Sequence, residues 1–338
     1  MNGKTRITTD LDFNQDGRQQ GFLGLPHSVH RSAYGRIAIP IITVKNGDGP
    51  TVLLTAGNHG DEYEGQIALI KLIRELNPQS VRGRLFILPA ANFPAVIGGL
   101  RTSPIDDLNL NRSFPGDPDG RPTAAIAHYI ETELLSLADF ALDLHSGGSS
   151  LMYLPSALAV PVEDDRRREQ QFDMLKAFAA PLAYIGHPGG ENRTFLAGAA
   201  RAGVAAIGTE LGGSGTASVE SVAIAERGVR RVLKHLGSLP DIDLGEDPPP
   251  TRLMKIRGRD DFVHSPEYGL WEPLVELGDD VEAGQPAAAV YCPETPWRDP
   301  VFARFAAAGK VICRRVPGLV HRGDCLFHLV ADLDSHPG

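Results

Sequence analysis

The sequence predicts an α/β protein, a mixed sheet flanked by helices, with a C-terminal β-sandwich or barrel-like module. Three observations lead there. Short apolar, β-branched runs alternate with stretches of helical periodicity between residues 36 and 236. A segment rich in proline and acid follows, Pro240-Asp-Ile-Asp-Leu-Gly-Glu-Asp-Pro-Pro-Pro, without a periodic apolar face, so a linker at 241–250 separates a domain at 1–240 from one at 251–338. Beyond it come short strands with frequent turns.

In chain order, Arg36 to Lys45 reads as a strand, Asn46-Gly-Asp-Gly-Pro as a turn, and Thr51 to Thr55 as a second strand. Residues 66–76 form a helix that stops before Pro78, and Arg84 to Leu88 a further strand. From Pro89 to Pro122 periodic signals are few. Ile105-Asp-Asp-Leu-Asn-Leu-Asn-Arg-Ser-Phe-Pro-Gly is nevertheless too apolar for disorder, which predicts an ordered substrate loop. Thr123 to Leu137 reads as a helix with Thr123 as N-cap, and Phe140 to Leu144 as a strand. Then come a charged surface helix over Glu163 to Phe178, a strand over Leu182 to Ile185 and a short helix over Arg193 to Arg201. The apolar run from Val204 leads to Glu210, and a helix spans Ser218 to Leu236.

In the last module Val275-Glu-Leu-Gly-Asp, Val281-Glu-Ala-Gly-Gln and Val320-His-Arg-Gly-Asp share a Val-x-x-Gly-Asp/Gln frame, each glycine free to take φ > 0 at a turn. The frame resembles hairpins of biotinyl and lipoyl carrier domains, but no lysine occupies those turns, which argues against a swinging arm. His264, His321 and His328 read as structural or surface residues, and Tyr268 and Tyr291 as candidate pocket-lining groups.

Bulk properties narrow the function. At 338 residues, 42% hydrophobic and 22% charged, the chain has ordinary globular composition. A net charge of −9 without a basic stripe argues against nucleic acid and membrane surfaces, leaving small molecules as the expected partners and homo-oligomer formation open. Cys292, Cys313 and Cys325 lack Cys-x-x-Cys spacing and suit buried thiols in a reducing compartment. Met1 to Gln20 is polar and no apolar run reaches about eighteen residues, so the expected location is the cytoplasm.

The chemistry gathers at three strand ends. In Thr51-Val-Leu-Leu-Thr-Ala-Gly-Asn-His-Gly-Asp-Glu-Tyr-Glu-Gly the strand breaks at Gly57, and His59 and Glu62 stand three apart where a helix begins. At that spacing an imidazole and a carboxylate share one face and can converge on one ion. The competing reading is a helix start whose Asp61 and Glu62 merely complement the dipole. Phe140-Ala-Leu-Asp-Leu-His-Ser-Gly-Gly supplies a third candidate ligand, His145, at the strand-end position where open α/β sheets bind ligands. Asp143, on the same face, could orient an imidazole or simply be satisfied by backbone amides. Val204-Ala-Ala-Ile-Gly-Thr-Glu-Leu-Gly-Gly puts Glu210 at another strand end, and catalytic zinc commonly keeps three protein ligands with a glutamate nearby as proton carrier. In the predicted substrate loop Arg112 offers a fork suited to a carboxylate, with Asn111 beside it; bracing of loop carbonyls is the competing role.

Gly57-Asn-His-Gly-Asp-Glu, Asn109-Leu-Asn-Arg-Ser-Phe-Pro-Gly, Asp143-Leu-His-Ser and Thr209-Glu-Leu-Gly resemble, in this order, the motifs of the succinylglutamate desuccinylase/aspartoacylase family within the zinc carboxypeptidase-like superfamily. The resemblance spans roughly residues 35 to 330 and implies a zinc-exopeptidase-like fold. It implies one Zn²⁺ held by His59, Glu62 and His145, Glu210 as general base, Asn111 and Arg112 gripping a substrate carboxylate, and Arg101 polarising the acyl carbonyl. Within the family, Gly57-Asn-His-Gly-Asp-Glu-Tyr-Glu-Gly and Leu151-Met-Tyr-Leu-Pro look most like the deacetylases acting on Nα-acetyl-L-2,4-diaminobutyrate in ectoine breakdown. Aspartoacylases carry an arginine about ten residues before the base for the second carboxylate; here position 200 is alanine and Arg201 adjoins it, a departure that argues against N-acetylaspartate.

The expected activity is therefore zinc-dependent hydrolysis of the amide on the α-nitrogen of a small amino acid. A zinc carboxypeptidase or a desuccinylase for another N-acyl amino acid is the alternative, and a non-catalytic metal-binding protein of the same fold the second. A serine hydrolase is poorly supported, because Gly212-Gly-Ser-Gly-Thr breaks the Gly-x-Ser-x-Gly pattern at its last position.

Overall fold

The structure is a computed structural model that describes residues 5–186, 190–246 and 248–333. Asp247 of the expected linker and the ends of both expected domains lie outside the described residues.

The chain opens with strands β1 (Gly17–Pro26), β2 (Arg36–Asn46) and β3 (Thr51–Ala56), helix α1 (Tyr63–Glu75), strand β4 (Gly83–Leu88) and helices α2 (Phe93–Gly98) and α3 (Pro122–Tyr129). Strands β5 (Phe140–Leu144), β6 (Leu151–Tyr153) and β7 (Ser156–Ala159), helix α4 (Asp165–Phe178), strand β8 (Leu182–Ile185), helix α5 (Phe195–Arg201), strand β9 (Ala205–Glu210) and helix α6 (Val219–His235) follow. The remainder is all β: β10 (Arg252–Lys255), β11 (Phe262–His264), β12 (Gly269–Pro273), β13 (Asp280–Val281), β14 (Pro286–Tyr291), β15 (Val301–Arg304), β16 (Gly309–Arg315), β17 (Leu319–Val320) and β18 (Cys325–Asp332).

Strands β4, β3, β5 and β9 run parallel at the centre of the sheet. Val52, Leu53, Leu54 and Ala56 are all buried, as a parallel strand covered on both faces requires. One face packs Val52, Leu54, Leu142 and Ile207 against α1, α4 and α6. The other packs Leu53, Ala141 and Ala206 with Phe114, Ile126 and Phe195. Because side chains alternate along a strand, Asp143, Gly208 and Glu210 emerge on this second face, beyond Ala141 and Ala206.

The sheet does not stop at the linker. Strand β10 pairs in parallel with β8, β18 pairs with β10, and β16 pairs with both β18 and β6. A second sheet, β15-β14-β12-β17, encloses a separate core of Trp271, Phe305 and Phe327 with it. The C-terminal sheet module is thus stitched edge-on to the first sheet. Its repeated frame has a physical cause: Asp279, Gln285 and Asp324 each accept a hydrogen bond from the backbone N–H three residues earlier, at 2.9, 3.0 and 2.9 Å. The intervening Gly278, Gly284 and Gly323 take φ of 98°, 83° and 91°.

One expectation needs correction, and two regions hold elements beyond those expected. Thr123 is not a cap: Arg121 holds the N-cap position with Pro122 at N1, and the Thr123 amide and hydroxyl both bind Asp106, each at 2.8 Å. The 89–122 stretch is ordered as expected, but holds helix α2 and a 3₁₀ turn at Leu110–Arg112. Strand β1 begins with Gly17-Arg-Gln-Gln, whose exposed polar positions give no apolar alternation although it is an edge strand antiparallel to β2.

Candidate metal centre and active-site cleft

Gly57 follows β3 with φ 69°, a conformation that turns the chain out of the sheet without a Cβ penalty. Gly60 lies so close to Ala95 that a Cβ there would sit 1.9 Å from its carbonyl oxygen. The turn that runs from Gly57 into the N-cap of α1 delivers His59 and Glu62 into the interior, both 3% exposed. From the next parallel strand, β5, His145 arrives 8% exposed. Its backbone is held by Thr209 of β9, whose hydroxyl accepts from the His145 N–H at 3.0 Å and donates to its carbonyl at 3.1 Å.

The three side chains converge. His59 Nδ1 stands 2.6 Å from Glu62 Oε1 and His145 Nδ1 2.7 Å from Glu62 Oε2, with the three ligand atoms all within 4.8 Å of one another. The opposite nitrogens are committed: His59 Nε2 donates to Asn109 Oδ1 at 3.0 Å, and His145 Nε2 to Asp143 Oδ2 at 2.8 Å. Asp143 is itself held by the Thr55 hydroxyl at 2.7 Å and by Asn58 Nδ2 at 3.1 Å. With Nε2 carrying the proton, each neutral imidazole points a lone pair at a carboxylate oxygen. Lone pair facing lone pair at these distances is repulsive, and either two protons or one cation between them resolves it. Imidazoles whose outer N–H is anchored on oxygen acceptors are the usual arrangement around a bound metal. His59, Glu62 and His145 therefore form a group able to hold a metal ion.

The electrostatics agree. Burial alone would raise the Glu62 carboxyl, yet the His59 and His145 imidazoles outweigh it and hold Glu62 well below the usual carboxylate range. Burial likewise opposes charge on His145, but Asp143 and Glu62 hold it well above its ordinary value. The pocket favours net positive charge between these groups.

Glu210 ends β9 with Oε2 buried and, among the described residues, without a hydrogen-bond partner. Burial first and the Glu62 carboxylate second push its pKa well up, against the opposing pull of His145 and Arg101. An unpaired, destabilised carboxylate beside a candidate metal centre is the state expected of a proton acceptor.

Three other candidates reach the same cleft, of about 370 Å³. Arg101 is 43% exposed, with Nη1 3.4 Å from His59 Nδ1 and 3.5 Å from Glu62 Oε1. Asn111 accepts the Phe195 N–H on Oδ1 at 2.8 Å, which leaves Nδ2 toward His145 at 3.4 Å. Arg112 braces its loop by donating from Nη1 to the Asn111 carbonyl at 2.6 Å, and its Nε lies 3.7 Å from Glu191. Burial and the nearby Arg101 both depress its pKa, so an anion between the two guanidinium groups is favoured.

Asn109, Asn58 and Thr209 escaped sequence reasoning as partners of the ligands. Asn109 lies within the Asn-Leu-Asn-Arg motif, so its position was visible while its role was not. Tyr153 and Tyr184 also line the cleft, whereas Tyr268 and Tyr291 do not; the Tyr291 hydroxyl donates to Glu272 on the outer face of the C-terminal sheet.

Residues 48–236, more than half of the chain, match the succinylglutamate desuccinylase/aspartoacylase catalytic domain. The chain belongs to this family. It is 43% identical to the N-alpha-acetyl-L-2,4-diaminobutyric acid deacetylase of Halomonas elongata, covering 97% of this chain and 96% of that protein. The product-bound structure of the ectoine utilization protein EutE (DoeB) from Ruegeria pomeroyi superposes with a TM-score of 0.92 at 42% identity, over 97% of this chain and 100% of that one. A succinylglutamate desuccinylase/aspartoacylase structure from Rhodobacter sphaeroides gives 0.91 at 38% identity, over 98% and 100%. Like these family members the chain is an amidohydrolase. Among its described residues no helix is long and apolar enough to cross a membrane.

Proposed function

We propose that this family member is a zinc-dependent deacylase that hydrolyses Nα-acetyl-L-2,4-diaminobutyrate to acetate and L-2,4-diaminobutyrate. The observation that carries the reading is the convergence of His59, Glu62 and His145 beside an unpaired Glu210, in a chain 43% identical to a deacetylase named for that substrate. Two imidazoles and a carboxylate suit Zn²⁺, which supplies Lewis acidity and makes a water acidic enough to lose its proton near neutral pH.

The chain's own residues do the rest. Arg112 and the Asn111 amide hold the α-carboxylate and fix the neighbouring amide, an orientation term of several kcal/mol. Arg101 donates to the acyl oxygen as charge develops on it. Glu210 takes the proton of the attacking water as the C–O bond forms, then returns it to the nitrogen as the C–N bond breaks, so acetate and a free amine leave. Asp143 and Asn109 keep the two imidazoles in the tautomer that turns Nδ1 inward.

Arg201 supports a substrate with a single carboxylate at this end. It forms a bidentate ion pair with Glu131, at 2.9 and 2.8 Å, and donates to the Asn192 carbonyl at 2.7 Å, so this arginine is committed outside the cleft. N-acetylaspartate would find no partner there for its second carboxylate. The free thiols Cys292, Cys313 and Cys325 support a cytoplasmic setting.

The test is a hydrolysis screen of N-acetyl and N-succinyl amino acids, cationic and anionic, with dipeptides as a control, on protein of measured zinc content. Acetate release from the acetylated diaminobutyrate is the expected result. Preference for dipeptides would make the protein a carboxypeptidase, and zinc without hydrolysis of any amide would make it a binding protein.

A further inference from the structure

In the middle of β9 stands a glycine that neither backbone nor packing demands. Gly208 does not take positive φ, and a Cβ built on it would meet Leu158 and Leu196 at 3.5 Å, ordinary van der Waals contact. Gly147, in the same cleft, is different, because a Cβ there would lie 2.2 Å from the Leu151 carbonyl oxygen. A strand interior loses by having glycine, so a glycine with room for a methyl group marks a place where something else approaches.

What approaches can be read from the register. Gly208 pairs with Asp143 of β5 and Leu158 of β7, and Leu158 pairs with Tyr184 of β8. Glu210 lies two residues on, hence on the same face. The missing side chain leaves a hollow in the cleft floor, walled by Leu158, Leu196 and Tyr184, immediately beside the carboxylate that handles the proton.

The hollow adjoins the carboxylate grip and not the acyl side. Leu196 follows Phe195, whose N–H is held by Asn111 at 2.8 Å, so wall and grip are one unit. Arg101 stands instead over His59 and Glu62. Asn111, Arg112, Gly208, Leu158 and Leu196 line one cleft, so a substrate with its carboxylate on Asn111 and Arg112 has the hollow within reach of the substituent on the same carbon.

We propose that Gly208 is the specificity-determining residue for the amino-acid side chain, its hollow receiving an unbranched aliphatic stem of two or more carbons. The inference rests on the deacylase reading above and adds the subsite to it. The apolar walls favour a methylene stem, and a branch at the first carbon would meet Leu158 or Leu196.

The test compares kcat/KM of zinc-loaded wild type, Gly208→Ala and Leu158→Ala on the N-acetyl derivatives of alanine, 2-aminobutyrate, norvaline, valine and 2,4-diaminobutyrate. In Gly208→Ala the ratio of 2-aminobutyrate to alanine derivative should fall about tenfold or more, the discrimination one methylene carries in a filled pocket. In Leu158→Ala the ratio of valine to norvaline derivative should rise. Unchanged ratios in both variants, with zinc content and melting temperature as in wild type, overturn the assignment to Gly208 and leave the deacylase reading standing. A wild type inactive on the whole panel overturns both. Should Gly208→Ala fail to fold, the Leu158→Ala ratio decides alone.

Discussion

Two buried histidines of this molecule have opposite surroundings. His145, at the end of β5, has each ring nitrogen within 2.8 Å of a carboxylate oxygen. His328, on β18 in the C-terminal module, is 4% exposed and neither of its nitrogens has a hydrogen-bond partner among the described residues. Phe262 stacks on its ring at 4.2 Å, and Tyr153 and Tyr184 meet it edge-on at 6.3 and 6.1 Å. Burial is the same and the consequence reversed. Burial tends to lower both; carboxylates override it at His145, while at His328 it prevails and brings the pKa down to about 4. What a buried imidazole does is decided by the partners it meets: one region is built to hold positive charge, the other to exclude it.

The comparison can be broken most drastically at the charged end. His145→Ala or Glu62→Ala should abolish zinc binding and bring deacylation to background, measured by metal analysis and acetate release; a variant that keeps both would remove the metal centre from the account. Glu210→Gln should leave zinc bound but lower kcat about 10²–10⁴-fold, the usual worth of a general base. The same group sets a pH limb. Burial and Glu62 raise the Glu210 pKa, so the base form is lost as pH falls through a value above the ordinary carboxylate range, and kcat/KM should decline on that acid side. A wild-type profile flat down to the ordinary carboxylate range would rule Glu210 out as the base.

Smaller effects sharpen the contrast. Asp143→Asn removes the anion behind His145 but keeps its shape, and should weaken zinc affinity about 10–100-fold, read by competition with a chelating dye. At the other end, His328→Phe removes polar atoms without a hydrogen-bond partner among the described residues. Its readout is stability against pH. With a folded pKa of about 4 against an ordinary 6.5, the neutral ring contributes full stability above pH 6.5, which is lost as pH falls toward 4 because the unfolded chain binds the proton first. The variant lacks that loss, so its stability relative to wild type should improve by about 1.4 kcal/mol for each unit of pH between 6.5 and about 4, as urea titrations at pH 5 and pH 8 would show. A difference independent of pH would mean that His328 is charged or bonded in the folded protein.

Much of the site was legible along the chain because its groups sit where strands end. His59, His145 and Glu210 each close an apolar run beside glycine, and a parallel strand buried on both faces tolerates polar residues mainly at such ends. Glu62 followed from its spacing to His59. The partners of the ligands were not legible in this way. Asn109 reaches His59 from a loop fifty residues away, and Thr209 clasps His145 across the β5–β9 pairing. Nothing in the local sequence records such contacts. The expected cap at Thr123 failed for the same reason, since its hydroxyl serves Asp106 and not the start of its own helix.

Sequence alone determined the alternation of strands and helices and the β character of the last module, and it singled out the candidate metal-binding and proton-carrying groups. All of these depend on local periodicity, on turn chemistry and on the few side chains able to do the chemistry. Tertiary structure decided which lone pairs face one another, that Arg201 is committed to Glu131, that a glycine in β9 opens a floor, and that β10, β16 and β18 carry the sheet across the linker. These depend on strand register and on contacts between residues distant in the chain, and the free energy of such contacts belongs to the pair and not to either residue.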